Sequence, residues 1–408
     1  MIDHPGTRGK PLIAYHSENS GSLQGVPASL PFCVEISINA QPKRGSGMKR
    51  RDFLKRTGVG LTAGLAATAV AAPAVLAKQT FNWKMVTSWP SGMPVLQTGA
   101  ERFAKLVGEM SDGDLTIEVY AGGELVPPLG VFDAVSASMV ECYHSASYYW
   151  SGKHPGTQWF TSVPFGMNST GYNAWLNAGN GMQLWEELYA RFNLIPRPLG
   201  STAFQMGGWF NKKIEKPEDL SGMKLRFPGL AGKVYSRAGA SVVLLPGSEV
   251  YTSMERGVID GTDWVGPLLD KRVGLDRVAK YYYTPGWQEP TGYTEVVFSK
   301  TAYDKLPKAL QLVLDGAAAK MTTVMLAEFD IGNARALIEM EKEAKVQIQS
   351  FPQPVLDNFR KISLQVLEEE ADKAPMARKI HDDYKAFMAE WLKWTDVTDR
   401  PYFGNMMV

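Results

Sequence analysis

Few residues beyond position 77 could carry acid–base, nucleophilic or metal chemistry, and they are widely spaced. The histidines are His144, His154 and His381, and Cys142 is the only cysteine in that region. No His-x-x-x-His metal spacing, Gly-x-Ser-x-Gly nucleophile turn or dinucleotide-binding glycine pattern occurs there. A single cysteine allows neither an internal disulfide nor a cysteine-rich metal centre. An enzyme therefore remains an alternative interpretation with little support from these residues.

Residues 48–77 have the features of an export signal. Arg50 and Arg51 are followed by Phe-Leu-Lys, and residues 57–76 form an uncharged segment rich in Ala, Gly and Val that ends in small residues. These features predict a twin-arginine signal peptide over 48–77, cleaved after Ala77, and hence a periplasmic protein. A membrane anchor is the alternative, but the glycines and the proline of the segment make it weakly hydrophobic.

Residues 1–47 precede this signal, are rich in Gly, Pro and Ser, and show no sustained apolar periodicity. A twin-arginine signal works near the N-terminus, so we expect translation to begin at Met48 and residues 1–47 to be a mis-called, non-native extension. The working protein would be residues 78–408, which hold 34 of the 43 basic and 38 of the 42 acidic residues. This slightly acidic balance leaves no basic stripe and argues against nucleic acid as a partner.

The periodicity beyond residue 77 alternates between strand-like and helix-like. Residues 81–87 alternate as in a strand, 95–110 have helical spacing, and 115–120 give a second strand. The order recurs with Gly and Pro clusters between elements, which predicts an α/β fold with largely parallel sheets. Because the length exceeds that of one usual core, we expect two lobes: lobe 1 at about 78–200 plus returning segments, and lobe 2 at about 201–300.

Residues 301–408 are predicted to be helices that brace both lobes. Leu306 and Pro307 open a helix that we expect to run past Met340, and residues 355–394 supply at least one more. The first of these helices has a largely apolar surface, which must be covered by a lobe or by a second chain.

An internal similarity with a constant offset of 119 residues suggests that each lobe contains the same unit. In each copy an apolar strand ends at a Pro turn, a short helix follows, and a small apolar strand ends in an acid. The matched residues are Val126, Pro127, Phe132 and 139–141 in one copy, and Leu245, Pro246, Tyr251 and 258–260 in the other. The offset places His144 at the position equivalent to Asp263, where it could face the cleft, although a packed polar histidine is the simpler interpretation of His144.

Several segments of the second half are more specific than the rest of the sequence: 219–226, Gly239 with Ala240, Leu245 with Pro246, 249–251 and 257–261. These segments resemble a known family, the solute receptors of tripartite ATP-independent periplasmic (TRAP) transporters. Two further segments, 262–267 and 281–290, are similar to the branch that binds 2-oxoacids and lactate. The resemblance extends from about residue 81 to the C-terminus.

This resemblance implies a two-lobed periplasmic solute-binding fold, type II-like, with long helices spanning both lobes. The lobes would close around a small organic carboxylate gripped by an arginine, and Arg226 stands at the matching position. A guanidinium suits this role because its planar donors match a carboxylate with two parallel hydrogen bonds. Judged without the resemblance, a surface charge at a strand end would be the more ordinary interpretation of Arg226.

The same resemblance implies a cation bound beside the substrate, either Ca²⁺ or Na⁺. Gln205, Asp263 and the backbone oxygen of Trp264 match its ligands, and Gln205 and Trp264 are also expected to contact the substrate. Glu289 resembles another cleft position that could bind the cation or the substrate. These oxygen donors suit hard cations. Tyr148 could donate to the carboxylate, but core packing explains it equally well, and Glu289 could be an ordinary loop carboxylate.

The substrate and the partners are implied only in part. The 2-oxoacid-binding members carry Glu where this chain has Asp263, and lactate-binding members carry Asp, so pyruvate-like 2-oxoacids and 2-hydroxyacids such as lactate both stay open. The resemblance implies delivery to a TRAP permease in the membrane, and a homodimer through a C-terminal helix. A ligand sensor built on the same fold is a further alternative.

Overall fold

The computed structural model describes residues 79–343 and 345–406. The predicted extension over 1–47 and the predicted signal over 48–77 lie outside the described residues. The strands are β1 (Phe81–Thr87), β2 (Leu115–Tyr120), β3 (Cys142–Ser145), β4 (Leu194–Ser201), β5 (Gly208–Phe210), β6 (Lys224–Arg226), β7 (Ser241–Val243), β8 (Gly261–Thr262), β9 (Tyr281–Thr284), β10 (Tyr293–Ser299) and β11 (Gln347–Ser350).

The helices before the C-terminal region are short, apart from the first. They are α1 (Leu96–Met110), α2 (Val131–Ser136), α3 (Ser169–Ala178), α4 (Gly181–Ala190), α5 (Gly229–Arg237), α6 (Gly247–Glu255), α7 (Pro267–Val273), α8 (Leu275–Val278) and α9 (Lys300–Tyr303). The C-terminal helices are α10 (Lys308–Glu343), α11 (Gln353–Asp372), α12 (Pro375–Thr395) and α13 (Asp399–Phe403). Short 3₁₀ helices span Ser147–Trp150, Pro155–Phe160 and Pro217–Leu220.

The strands form two sheets, and each sheet defines one lobe. The first has the order β2-β1-β3-β10-β4 and the second β11-β9-β5-β8-β6-β7. β1 pairs in parallel with β2 and β3, and β6 pairs in parallel with β7 and β8. Each lobe therefore contains the same β-α-β-α-β unit, as the internal similarity predicts, because α2 and β3 of one unit correspond to α6 and β8 of the other.

The prediction of largely parallel sheets was wrong for the middle of each sheet. β10 runs antiparallel to both β3 and β4, and β5 runs antiparallel to both β8 and β9. The reason is topological: the chain leaves the first sheet through β4 and returns through β10, so each sheet contains strands that arrive from the other lobe. Periodicity reports the burial of a strand and carries no information about its direction.

Two crossover segments join the lobes side by side. Residues 202–207 connect β4 to β5, and residues 285–292 connect β9 to β10. Backbone hydrogen bonds link them, from Thr202 N to Gly292 O at 3.0 Å and from Gln205 N to Glu289 O at 3.3 Å. These paired segments form the connection about which the lobes could move relative to each other.

The long C-terminal helices span both lobes, as expected. α10 packs against β4 and α1 of the first lobe and against α7 of the second, while α11 packs on α5 and α12 on α3 and α4. By length and composition α10 is apolar enough to cross a membrane, but its buried residues, including Leu314, Met325 and Phe329, belong to a core shared by both sheets. One strand, β11, interrupts this otherwise helical region and joins the edge of the second sheet.

Candidate functional site

The residues predicted to bind substrate or cation gather where the lobes meet. In α/β sheets, ligands bind beyond the carboxyl ends of the parallel strands, and four of the predicted residues follow this rule. Arg226 ends β6, Asp263 and Trp264 follow β8, and Tyr148 lies in the turn after β3. Gln205 and Glu289 instead lie opposite each other on the two crossovers.

Arg226 is almost completely buried, with 1% of its surface exposed. Its Nε and Nη2 donate to Leu245 O at 3.1 Å, and its Nη1 donates to Asp263 Oδ1 at 3.2 Å and Asp263 O at 3.3 Å. The guanidinium also lies 5.7 Å from the centre of the Trp264 ring. The ordinary interpretation of Arg226 as an exposed strand-end charge is therefore wrong, and its donors are largely engaged within the second lobe.

Asp263 is a buried carboxylate with one satisfied and one unsatisfied oxygen. Oδ1 accepts from Arg226, whereas Oδ2 has no hydrogen-bond partner within the part of the chain that the structure describes. Burial raises the pKa of Asp263 to about 7, Arg226 opposes this rise, and the negative charge of Asp270 adds to it. A buried acceptor without a partner is costly, so Oδ2 is suited to receive a ligand.

Gln205 and Glu289 form the second pair of the site. Gln205 Nε2 donates to Glu289 Oε2 at 2.7 Å and to Thr202 Oγ1 at 3.0 Å. This orientation leaves Gln205 Oε1 buried, and over residues 79–343 and 345–406 no partner is found for it. Burial raises the pKa of Glu289 well above its usual range, with a further contribution from the nearby Asp263 charge. Gln205 and Asp263, both predicted cation ligands, thus each have a buried oxygen without a hydrogen-bond partner among the described residues.

A small cavity of about 20 Å³ adjoins these residues. Polar atoms of Gln205, Glu289 and three threonines meet aromatic and apolar walls there. The residues lining it are Trp89, Leu96, Ala146, Tyr148, Tyr149, Thr161, Thr202, Gln205, Trp264, Val265, Glu289, Gly292 and Thr294. Arg226 and Asp263 are not among them in this conformation. A larger hollow of about 600 Å³ between α5 and α11 contains none of the predicted site residues.

Tyr148 belongs to the first lobe but packs against the second. An added Cβ on Gly229, the first residue of α5, would lie 2.8 Å from Tyr148 Cδ2 and 3.0 Å from Tyr148 Cβ. Burial raises the pKa of Tyr148 well above its usual range, and the negative charge of Glu289 raises it further. The Tyr148 ring therefore lines the cavity from the first lobe while it packs against the second.

Sequence reasoning missed Trp89 and identified His144 only as a packed residue. The indole Nε1 of Trp89 donates to His144 Nδ1 at 2.8 Å, so His144 Nε2 carries the proton and donates to Leu199 O at 2.9 Å. Burial lowers the pKa of His144 to about 4, which keeps the ring neutral. His144 thus orients the Trp89 wall of the cavity. Trp89 follows the end of β1, so the strand-end rule applied to β1 would have found it.

Among the described residues, no three His, Cys, Asp or Glu side chains form a cluster that could hold a metal. The predicted cation site differs in kind, since it combines two carboxylates with an amide oxygen and a backbone carbonyl. Oxygen sets of this composition bind hard cations such as Ca²⁺, so the residues present fit the group.

Two α/β lobes, joined by paired crossovers around a buried polar site, are the architecture of a solute-binding protein. The profile of bacterial extracellular solute-binding protein family 7 matches residues 85–373, and the chain belongs to this family. The family consists of solute-binding transport proteins that act in the periplasm, which agrees with the expectation that the chain is not an enzyme.

Individual relatives are similar over most of their length. A monocarboxylate 2-oxoacid-binding periplasmic protein from a Nostoc species is 40% identical over 358 residues, which cover 87% of this chain and 98% of the relative. A TRAP periplasmic solute-binding protein from Pseudoalteromonas atlantica, solved with bound sodium and pyruvate, superposes with a TM-score of 0.79 at 38% identity, covering 81% of this chain and all of that one.

A third relative, from Bordetella bronchiseptica, is a TRAP transporter solute-binding protein solved as a mixed-occupancy dimer. It carries copurified calcium and picolinate in one site and has a second, apo site. The TM-score is 0.78 at 34% identity, with 80% of this chain and 97% of that one covered. The expected two-lobed fold is confirmed by these structures.

Proposed function

We propose that this protein is the periplasmic substrate-binding subunit of a TRAP transporter and captures a small 2-oxoacid, such as pyruvate, together with a cation. The observation that carries the proposal is the pair of buried, unpartnered oxygens, Gln205 Oε1 and Asp263 Oδ2. Both belong to residues that the sequence nominates as cation ligands. The sodium and calcium in the sites of the two solved relatives support the same interpretation.

The charge of the site favours a bound cation. Among the described residues assigned to the site, Arg226 is the only buried cation, while Asp263 and Glu289 are two buried acids. A substrate carboxylate would add a further negative charge, and buried charges need partners. Na⁺ or Ca²⁺ held by Gln205, Asp263, the Trp264 carbonyl and Glu289 would supply the missing positive charge.

Cation binding would also prepare Arg226 for the substrate. Four hydrogen bonds from the guanidinium run to Leu245 O and Asp263, and a guanidinium has five N–H groups. Two parallel bonds to a substrate carboxylate therefore require Asp263 to release Nη1. A cation that draws the Asp263 carboxylate towards itself would allow this exchange, with Tyr148 donating to the substrate from the first lobe.

Calorimetric titration of the chelator-dialysed protein with pyruvate tests this function. We expect stoichiometric binding without turnover, strengthened by Ca²⁺ or Na⁺, because the cation and the carboxylate neutralise each other in a buried site. Asp263→Asn should lose the strengthening by cation, whereas the exposed Glu249→Gln in the same lobe should retain it. Absence of pyruvate binding with either cation, or catalytic consumption of pyruvate, would count against the proposal.

We further propose that the substrate is a 2-oxoacid rather than lactate, although Asp263 is the residue type expected of lactate-binding members. Pyruvate in the sodium-bound relative and the 2-oxoacid specificity in the name of the Nostoc relative support this choice. Competition of lactate and longer 2-oxoacids against bound pyruvate distinguishes the two. Lactate binding more tightly than pyruvate would reverse the assignment.

Export by the twin-arginine pathway from Met48 and dimerisation through the C-terminal helices complete the proposal. The end of α12 and the residues after it expose a group of large apolar side chains, which favours a second copy as their cover. These are Trp394, Val397, Tyr402 and Phe403. Light scattering should report a dimer that Phe403→Ser weakens. A monomer at all concentrations would refute dimerisation through the C-terminal helices.

Export should fail when Arg50 and Arg51 are both changed to Lys. Export that survives this change would refute the twin-arginine pathway.

A further inference from the structure

Asp270 is a buried carboxylate outside the predicted site, and four hydrogen bonds satisfy it. It lies in α7 with 2% of its surface exposed. Oδ1 accepts from the backbone N–H groups of Val265 and Gly266, each at 3.0 Å. Oδ2 accepts from Trp209 Nε1 at 2.8 Å and from the hydroxyl of Tyr282 at 2.7 Å. All four donors are neutral, so the carboxylate has no cationic partner in these contacts.

The two oxygens of Asp270 connect different parts of the second lobe. Trp209 and Tyr282 are paired residues on the neighbouring strands β5 and β9, and their rings stack at 3.9 Å. Oδ2 is therefore attached to the middle of the sheet. Oδ1 holds the segment 263–266 that follows β8, which carries Asp263 and Trp264.

From this geometry we infer that Asp270 is a positioning residue for the cation and carboxylate site: it fixes the 263–266 segment to the sheet so that Asp263 and the Trp264 carbonyl are in place before ligand arrives. The inference rests on the proposed function for the identity of the ligand. Loss of a group that hydrogen-bonds to a metal ligand and orients it typically lowers the metal affinity roughly 10- to 100-fold.

A matched pair of variants separates positioning from simple stabilisation. Asp270→Asn replaces one of the two acceptor oxygens by a donor, while Tyr282→Phe removes one donor to Oδ2 and leaves the Val265 and Gly266 contacts intact. Both should lower the melting temperature. In calorimetric titrations with pyruvate and CaCl₂, Asp270→Asn should weaken binding roughly 10- to 100-fold, and Tyr282→Phe should bind much like the parent. Parent-like affinity in a destabilised Asp270→Asn would reduce Asp270 to a structural role.

The parent protein provides a second test that does not depend on a variant folding. Without ligand, the amides of Val265 and Gly266 should exchange with deuterium as slowly as those of β5 and β9, because Asp270 already holds them. Fast exchange that becomes slow only when pyruvate and CaCl₂ are added would overturn the inference. If the parent does not bind pyruvate, the proposed function fails, whereas slow exchange at these two amides would still support the anchoring by Asp270.

Discussion

At the residue scale, the site concentrates buried carboxylates around a single guanidinium. Asp263 contacts Arg226 directly, and the charges of both act on Glu289. Burial raises the pKa of each carboxylate, whereas Arg226 lowers it. Such an arrangement is unstable electrostatically unless protons or cations accompany it. The sequence-based choice of oxygen ligands for a cation is thus supported by the charge balance that the fold creates.

His144 gives a prediction for the pH dependence of stability. Its pKa is about 4 in the folded protein because of burial, against about 6.5 for an unperturbed histidine. Between these values the unfolded chain binds a proton that the folded protein does not, so the free energy of unfolding should fall as pH drops from about 6.5 to about 4. The contribution is at most about 1.4 kcal/mol per pH unit.

Chemical denaturation of the parent and of His144→Gln across this pH range checks the prediction. Asp270 and Glu295 have raised pKa values, about 6 and about 7, and oppose the trend as pH falls. The difference between the two proteins isolates His144, since these acids are present in both. Identical pH slopes would show that His144 is not held neutral by the fold.

Individual site residues were predictable to different degrees. Arg226 and Asp263 were identified from a resemblance carried by the motif around them, and the structure places them in contact. Trp89 was not identified as a cavity wall, because aromatic residues after strands are usually core residues. Asp270 gave no signal in the sequence, since its role depends on Trp209 and Tyr282, which are brought to it by strands β5 and β9.

At the element scale, the repeat of one β-α-β-α-β unit explains why both lobes contribute equivalent strand ends to the site. The constant offset in the sequence predicted this unit, and α2 with β3 and α6 with β8 confirm it. Segments returning to the first lobe were predicted, but the residues of the crossovers were not, because a segment between two sheets has no periodicity of its own. Gln205 and Glu289 lie on these segments, so movement of the lobes and binding of a ligand act on the same residues.

The contact between Gly229 and Tyr148 gives a prediction at this scale. Gly229 has a φ of 58°, and an added Cβ would meet the Cβ of Tyr148, which cannot swing aside. Gly229→Ala should therefore hold the lobes apart and weaken pyruvate binding by about tenfold or more, equivalent to 1.4 kcal/mol.

Gly222→Ala is a matched control for this experiment. Gly222 also has a positive φ, of 74°, but an added Cβ would contact nothing within 4 Å. Both variants carry the left-handed backbone cost of about 1–2 kcal/mol, so both should unfold at similar temperatures. Equal pyruvate affinity in calorimetric titrations of the two variants would mean that this contact does not govern closure.

At the scale of the whole molecule, the long helices determine how the lobes are coupled. α10 contacts both lobes on one side, and α11 and α12 do so on the other. The sequence predicted these bracing helices from their length and apolar surface. It did not predict β11, whose four residues extend the second sheet at its edge, because a short edge strand between two helices produces little alternation.

Closure of the lobes around a charged ligand requires that the ligand bind the closed form more tightly than the open form. Under the proposed function, contacts from both lobes would provide that difference: Arg226, Asp263 and Trp264 come from the second lobe, and Tyr148 with Trp89 from the first. We propose that the buried guanidinium is the group that recognises the substrate's charge. The proposed function therefore depends on Arg226 more than on any other residue.

The most direct test is calorimetric titration of Arg226→Ala with pyruvate at saturating Ca²⁺, beside the parent, with circular dichroism to establish that the variant is folded. Removing one partner from a buried, hydrogen-bonded charge pair costs about 2–5 kcal/mol, so the affinity should fall at least about 30-fold. Arg226→Lys should recover only part of it, because an ammonium cannot offer two parallel donors. A folded Arg226→Ala protein that binds pyruvate as tightly as the parent would contradict the account.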